Sequence, residues 1–385
     1  MSQSAIISPY LREEHVILRD QVARFVAEEV KPHGDGWEAQ GHVPREVLRK
    51  MGELGFFGIR YPAEFDGAEM DTLATAVFAE ELGKSTFGGF AITVLVHTDM
   101  ASVHVFNASN EAQRARYMPG IISGEQIVAV AVTEPGAGSD VKSMTTRARE
   151  VAGGYVLNGT KMFITNGVLA DIYCVAAKTE GAEKPSRAVT MFLLEKGAPG
   201  LSVARELDKQ GWRSSDTAEL VFEDCFVPHE NILGTAGGGF YAIMRNFQNE
   251  RIVLGAMAMG EAQAALEITL DYVKTRQAFG GPLFQREAIR QRLAMLAAKV
   301  EAGRQLVYHT AWLDAQGVEC VKEVSMVKAY CGELVNEVLY DCVQFHGGTG
   351  YMRETAINRM ANDARVQAIG GGATEVMLEE VAKRL

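Results

Sequence analysis

With 385 residues, 47% of them apolar and 23% charged, the chain can bury a large core and has the composition of an ordinary globular protein. Its net charge of −11, with no Lys/Arg-rich run, argues against a nucleic-acid partner. The five cysteines form no Cys-x-x-Cys pair, which speaks against zinc-finger and thioredoxin-type chemistry, and nothing in the sequence demands a disulfide.

The opening residues, MSQSAIISPYLREEH, lack the basic start and apolar stretch of a signal peptide. The longest apolar run, Phe87 to Val96, is about half of what a membrane span needs. The expectation is a cytoplasmic protein without membrane insertion. From Leu11 to about Ser123 the apolar period is helical. Val16, Leu18, Val22, Phe25, Val26 and Val30 form one stripe that ends at Lys31-Pro32, and further helices are expected over 44–54, 71–83, 90–107 and 110–122.

From Gln126 the period changes to that of strands. IVAVAVT, SMTTRAREV, YVLNGTKMFIT, DIYCVAAKT, AVTMFLLE and TAELVFEDCFV are short, rich in β-branched and aromatic residues, and bounded by Gly, Pro or Asn. They leave no room for crossover helices, so an antiparallel sheet or barrel is expected rather than a doubly wound parallel sheet. From about Gly238 the chain is helical again, beginning with a long helix rich in small residues. Cys320, Cys331 and Cys342 recur every eleven residues and so share a helix face, either as a thiol row or simply as small core residues. The expected class is α+β: an N-terminal helical domain (1–125), a central antiparallel β domain (126–235) and a C-terminal four-helix-type bundle (236–385).

Five segments carry candidate chemistry. VAVTEPGAGSD (130–140) lacks the third glycine of a dinucleotide fingerprint, which leaves a tight turn whose amides and Thr133 and Ser139 hydroxyls aim at one ligand, or a plain surface turn. In KMFITNG (161–167), Phe163 and Thr165 share a strand face and could wall a flat heterocycle, or Phe163 is a core aromatic. TRQAFGG (275–281) puts Arg276 at a helix end, free to meet an anion or merely exposed there. QFHGGTGY (344–351) lets backbone pass close to a ligand at Gly347 and Gly348, or simply ends a helix. In IGGGATEVM (369–377) three glycines precede a helix and form an exposed turn with free amides.

In this order and spacing, TEPGAGSD, the aromatic-Ile-Thr-Asn-Gly run, Thr-Arg-x-Ala-Phe-Gly and Gln-x-x-Gly-Gly-x-Gly resemble the acyl-CoA dehydrogenase family, from about residue 10 to the C-terminus. The long-chain and isovaleryl branches look most alike. The resemblance implies FAD lined by Val130, Val132, Thr133 and Ser139 and flanked by Phe163, Ile164 and Thr165. It implies that Arg276 and Phe279, with Gln344, Gly347 and Gly348, reach the adenosine-diphosphate half of a neighbouring subunit's FAD, and that Thr374 and Glu375 touch FAD. Ser139, Ser186, Arg187, Tyr241, Arg251, Gly371 and Gly372 match substrate-contacting positions. Sharing FAD across subunits implies a homo-oligomer, typically a tetramer.

Two positions depart from the family pattern. Many members carry the catalytic base as a Glu in the fifth motif, where this chain reads Gly370-Gly371-Gly372-Ala373. The long-chain and isovaleryl branches place a Glu before an Arg on the bundle helix, and here that pair is Glu250-Arg251. Glu287 stands where a Gln usually contacts FAD. The resemblance implies α,β-dehydrogenation of an acyl-CoA thioester, as in fatty acid β-oxidation or branched-chain catabolism. Glu250 would take the α-proton, hydride would pass to flavin N5, and the Gly371 N–H would serve the thioester oxygen. Electron-transferring flavoprotein would then reoxidise the flavin. The small residues Gly255 and Ala256 suggest room for a medium, long or branched acyl group. Two rivals remain: an acyl-CoA oxidase or flavin monooxygenase that reacts with O2, and a non-catalytic acyl-CoA- and FAD-binding protein.

Overall fold

The computed structural model describes residues 8–180 and 188–385. In chain order, α1 (Glu13–Phe25) runs into a π turn (Val26–Val30) and is followed by α2 (Gly34–Gln40), α3 (Arg45–Glu53) and α4 (Thr72–Gly83). Next come α5 (Gly88–Leu95), a second π turn (Val96–Ala101), α6 (Ser102–Ala108) and α7 (Glu111–Ile122). The strands are β1 (Val128–Ala131), β2 (Arg147–Val151), β3 (Gly154–Thr165), β4 (Ile172–Thr179), β5 (Val189–Glu195), β6 (Leu201–Glu206), β7 (Thr217–Pro228) and β8 (Ile232–Leu233). After α8 (Gly239–Thr275), β9 (Gln277–Ala278) and β10 (Gly281–Pro282) form a small hairpin, and α9 (Glu287–Ala315), α10 (Val321–His346), α11 (Ala356–Ala364) and α12 (Thr374–Ala382) complete the chain. Two compact units emerge, a sheet unit (Gly36–Glu69 and Ile92–Glu250) and a helical unit (Met1–Asp35, Met70–Ala91 and Arg251–Leu385).

The sheet unit is organised around β4 and β5, which are buried on both faces. Because side chains alternate along a strand, Ile172, Cys174 and Ala176 pack with Val105, Tyr117, Met118 and Ile121 of α6 and α7. Tyr173, Val175 and Ala177 instead meet Tyr155, Leu157, Leu220 and Phe222 of β3 and β7. The strand order is β6-β7-β3-β2-β4-β5-β8, with β1 also pairing β4. The expectation of a purely antiparallel sheet needs correcting, since β1 and β2 both pair β4 in parallel. The connection from β1 to β4 runs through the β2–β3 hairpin, so it needs no crossover helix.

In the helical unit α4 approaches α8 closely because both helices carry a glycine at the crossing. A Cβ at Gly83 would run into Met257 O, and one at Gly260 into Glu80 O. A buried cluster ties α4 to α9: Arg304 Nε donates to Glu80 Oε1 at 2.8 Å and Tyr308 OH to Glu80 Oε2 at 2.6 Å. Gly255 leaves no room for an acyl group, because a Cβ there would overlap Val327 Cγ1; its size serves the packing of α8 on α10. Cys320, Cys331 and Cys342 are buried and free, as expected of small core residues. Gly88–Ala108 and Gly239–Thr275 are long and apolar enough to cross a membrane, but the greater part of each is buried inside the protein.

Candidate functional site

In the sheet unit the chain turns tightly after β1. Glu134 N–H donates to Ala137 O at 3.0 Å and Ala137 N–H returns to Glu134 O at 3.1 Å, which closes the turn over Pro135-Gly136. An ion pair holds the turn from inside. Lys161 Nζ, fully buried, lies 2.7 Å from Glu134 Oε1 and donates to Val132 O at 3.0 Å. The same carboxylate accepts from the Thr145 hydroxyl at 2.8 Å and the Thr146 N–H at 3.0 Å. Burial would raise the Glu134 carboxyl, but the Lys161 ammonium and these donors outweigh it and hold it at about 2. With its inner side pinned, the turn exposes Gly136, Gly138 and Ser139, and a side chain at either glycine would meet nothing within 4 Å.

The pairing of β3 with β7 slips between Lys161 and Ile164. At the slip Phe163 adopts φ +60° and stands 66% exposed. A left-handed aromatic of this kind costs about 1–2 kcal/mol and is a functional pointer when seen. Two residues on, Thr165 is half-buried. Ile164 does not join them: its side chain lies in the core, so any ligand contact there is through the backbone. Val130 and Val132 also pack into a core cluster. Ser186 and Arg187 lie outside the described residues.

Near the end of the sheet unit's share of α8, Glu250 is 7% exposed. Asn246, one turn earlier, donates from Nδ2 to Glu250 Oε1 at 2.8 Å and to Met100 O at 2.8 Å. Asn249 donates to Asp99 O at 2.8 Å and accepts from Arg60 at 2.6 Å. Tyr241, in the first turn of α8, is exposed and edge-on to Phe240.

In the helical unit the backbone bonds of the glycine turn run as far as Gly370 N–H, which donates to Val366 O at 2.8 Å. Among the described residues, the N–H groups of Gly371 and Gly372 make no bond within the chain. Gly371 has φ +66° and Gly372 φ +112°, which side chains rarely adopt, and a Cβ on Gly371 would overlap Leu254. Buried Lys328 anchors the turn, donating to Gln367 O at 2.6 Å and Gly372 O at 3.0 Å. Thr374 and Glu375 open α12, with the Thr374 hydroxyl donating to Glu333 at 2.7 Å. Gln344, Gly347 and Gly348 are exposed at the end of α10, and Gly347 has φ +59°. Exposed Arg276 directly follows α8, and beyond it Phe279 at φ +53° and Gly280 at φ +84° form the β9–β10 turn. Phe279 is 90% exposed, with the Arg286 guanidinium 5.5 Å from its ring centroid. Glu287 is the exposed first residue of α9.

Sequence reading missed three of these groups: Glu134–Lys161, Asn246 and Lys328. Lys161 did carry a signal, since it continues the inward-facing period of Tyr155 and Leu157 on a strand where a charge is out of place.

Family models match the chain along its length: acyl-CoA dehydrogenase N-terminal domain at 12–125, middle domain at 129–225 and C-terminal domain at 237–385. The mouse mitochondrial long-chain specific acyl-CoA dehydrogenase is 38% identical over 379 residues, covering 97% of this chain and 86% of that one. The chain belongs to the acyl-CoA dehydrogenase family. The mitochondrial isovaleryl-CoA dehydrogenase of rice is 36% identical over 369 residues, covering 95% and 90%. A crystal structure of acyl-CoA dehydrogenase from Geobacillus kaustophilus superposes with a TM-score of 0.94 at 37% identity, covering 98% and 99%. The protein is an FAD-dependent oxidoreductase that dehydrogenates acyl-CoA. Its residues suit such a group: two strained, exposed aromatics, an outward turn without side chains at Gly136 and Gly138, and unspent amides at Gly371 and Gly372.

Proposed function

We propose that Glu250 is the base of this dehydrogenase and that the substrate is a medium-chain, long-chain or branched acyl-CoA. One observation carries the assignment of the base: a carboxylate only 7% exposed is hydrogen-bonded in place on α8, while residue 371 is a glycine at φ +66° and brings no side chain. Glu250 accepts the proton from the carbon α to the thioester. Bound FAD supplies the acceptor for the hydride that leaves Cβ. Donors must meet the charge that builds on the thioester oxygen as the proton departs. Gly371 provides such a donor without a side chain, and Lys328 holds the carbonyl of the next residue still. Thr133, Ser139, Phe163 and Thr165 of the sheet unit bind FAD; so do Arg276, Phe279, Gln344, Gly347, Gly348, Thr374 and Glu375 of the helical unit. Tyr241, Arg251 and Gly372 contact substrate. The substrate range draws its support from the long-chain and isovaleryl names of the relatives, since packing against Val327 takes up the space beside Gly255. Electron-transferring flavoprotein as acceptor, a homotetramer and a cytoplasmic location complete the reading.

The test is anaerobic mixing of the FAD-loaded protein with straight-chain and branched acyl-CoA esters while the oxidised flavin absorbance is followed. One ester class bleaches the flavin rapidly. Glu250→Gln keeps its FAD and loses about 100- to 10,000-fold in bleaching rate, the usual contribution of a general base. Bleaching at the wild-type rate in Glu250→Gln overturns the assignment. Hydrogen peroxide released stoichiometrically in air would favour an oxidase instead.

A further inference from the structure

Three features meet around Asn246. The first is the π turn Val96–Ala101, in which Ser102 N–H reaches back five residues to His97 O. Such turns are rare and often mark functional sites. Here three successive carbonyls accept side-chain donors from other elements: Thr98 O from Tyr61 OH at 3.3 Å, Asp99 O from Asn249 at 2.8 Å and Met100 O from Asn246 at 2.8 Å. The second is the fixed orientation of the Asn246 amide. Its nitrogen lies 2.8 Å from both Met100 O and Glu250 Oε1, so reversing the amide would set an oxygen against two acceptors. The buried Oδ1 makes no bond within the chain, a loss tolerated only because the nitrogen's two bonds outweigh it. The third is His104, whose Nε2 is 3.4 Å from the same nitrogen. Burial pushes this imidazole down to about 4, so at neutral pH it brings no competing positive charge to the carboxylate.

We propose that Asn246 is a positioning residue for the base: anchored on the π turn through Met100 O, it holds one oxygen of Glu250 and so sets the direction of the carboxylate for proton transfer. The proposal rests on the reading of Glu250 as the base. Asn246 is not consumed: it donates the same N–H before and after the proton arrives on Glu250. Misdirection of a reacting group is costly in rate even when binding is unchanged.

The experiment follows anaerobic flavin reduction by the ester that bleaches the wild type fastest, with protiated and α-deuterated forms, in the FAD-loaded protein. Asn246→Leu removes the donor at similar volume, and Asn246→Asp keeps the shape but replaces the donor with an acceptor. Both are expected to keep FAD content and ester KM, to slow flavin reduction about 10- to 100-fold, the worth of one hydrogen bond to a charged group, and to enlarge the isotope effect. Asn249→Leu is the control, because it cuts the neighbouring tie to the π turn without touching the bond to Glu250; it is expected to reduce flavin at close to the wild-type rate. Wild-type rates and isotope effects in Asn246→Asp overturn the proposal. So does a slowing in Asn249→Leu equal to that in Asn246→Leu, which would assign the effect to a loosened π turn. If Glu250→Gln itself reduces flavin at the wild-type rate, the assignment of the base fails first and the role of Asn246 falls with it.

Discussion

Lys161 in the sheet unit and Lys328 in the helical unit lie 0% and 2% exposed, each beneath a glycine-bearing turn assigned to ligand binding. Burial pushes both ammonium groups down to about 8. Their partners differ. Lys161 meets the Glu134 carboxylate and one carbonyl, whereas Lys328 donates to the two carbonyls Gln367 O and Gly372 O, with the Arg251 charge opposing it. A lysine opposite a carboxylate is a lock in which each charge makes the other tolerable. A lysine held by carbonyls is a brace that keeps its hydrogen bonds even as the neutral amine. Equal acidity therefore conceals different partners and different costs of mutation.

The largest effect expected is that of Lys161→Met, which strands the buried Glu134 carboxylate and destabilises the protein by about 3–5 kcal/mol in chemical denaturation. Removing the second charge as well, in Lys161→Met/Glu134→Gln, restores most of that loss, because what hurts is the unpaired charge rather than the missing pair. A double variant no more stable than Lys161→Met breaks the comparison. On the acid side the contribution of Glu134 is complete above its ordinary value of 4.5 and is lost as pH falls through about 2.

Lys328→Met forfeits two hydrogen bonds from a charged donor and should cost about 2–3 kcal/mol near neutral pH, less than the loss of Lys161. Its pH signature is on the alkaline side. With a folded value of about 8 below the ordinary 10.5, the unfolded chain binds more protons between these limits. Stability due to this residue therefore rises with pH across that window, by up to about 3 kcal/mol relative to Lys328→Met. A difference between wild type and variant that stays flat from pH 8 to 10.5 would mean that Lys328 keeps its proton, its bonds to Gln367 O and Gly372 O outweighing the cost of burial.

How much of this was legible follows from which interactions are local. Helices from Arg45 to Ile122 and strands β1 to β5 and β7 announce themselves by period. β6 does not, because five of its six residues are exposed and carry no apolar alternation. The parallel pairing of β1 and β2 with β4 was hidden because partner choice depends on which faces need covering, not on the strand's own residues. The resemblance singled out Glu250, and its structural setting is a buried one. The ties of Asn246 to Met100 and of Lys328 to Gly372 join positions far apart in sequence, through backbone carbonyls that no residue name reveals. The backbone strain at Phe163 is equally silent in sequence, since any residue can precede a register slip.

The smallest effect sharpens the picture of the brace. Gly371 sits at φ +66°, where an alanine costs about 1–2 kcal/mol through its backbone alone. Its Cβ would also overlap Leu254 Cδ1, the far end of a flexible side chain that can turn aside, whereas the next atom met, Lys328 Cε, is 3.7 Å away. Gly371→Ala should therefore lose about 1–2 kcal/mol in chemical denaturation, keep the Lys328 anchor and keep the N–H assigned to the thioester oxygen. Adding Leu254→Ala separates the two contributions: it removes any residual overlap but not the cost of the backbone conformation. If Gly371→Ala is as stable as wild type, the turn relaxes out of its left-handed conformation, and two bonds from a lysine do not suffice to fix a glycine turn. If it loses about 1–2 kcal/mol whether or not Leu254 is shortened, the strain resides in the backbone, and the lysine beneath holds the turn to the conformation that leaves its amides outward.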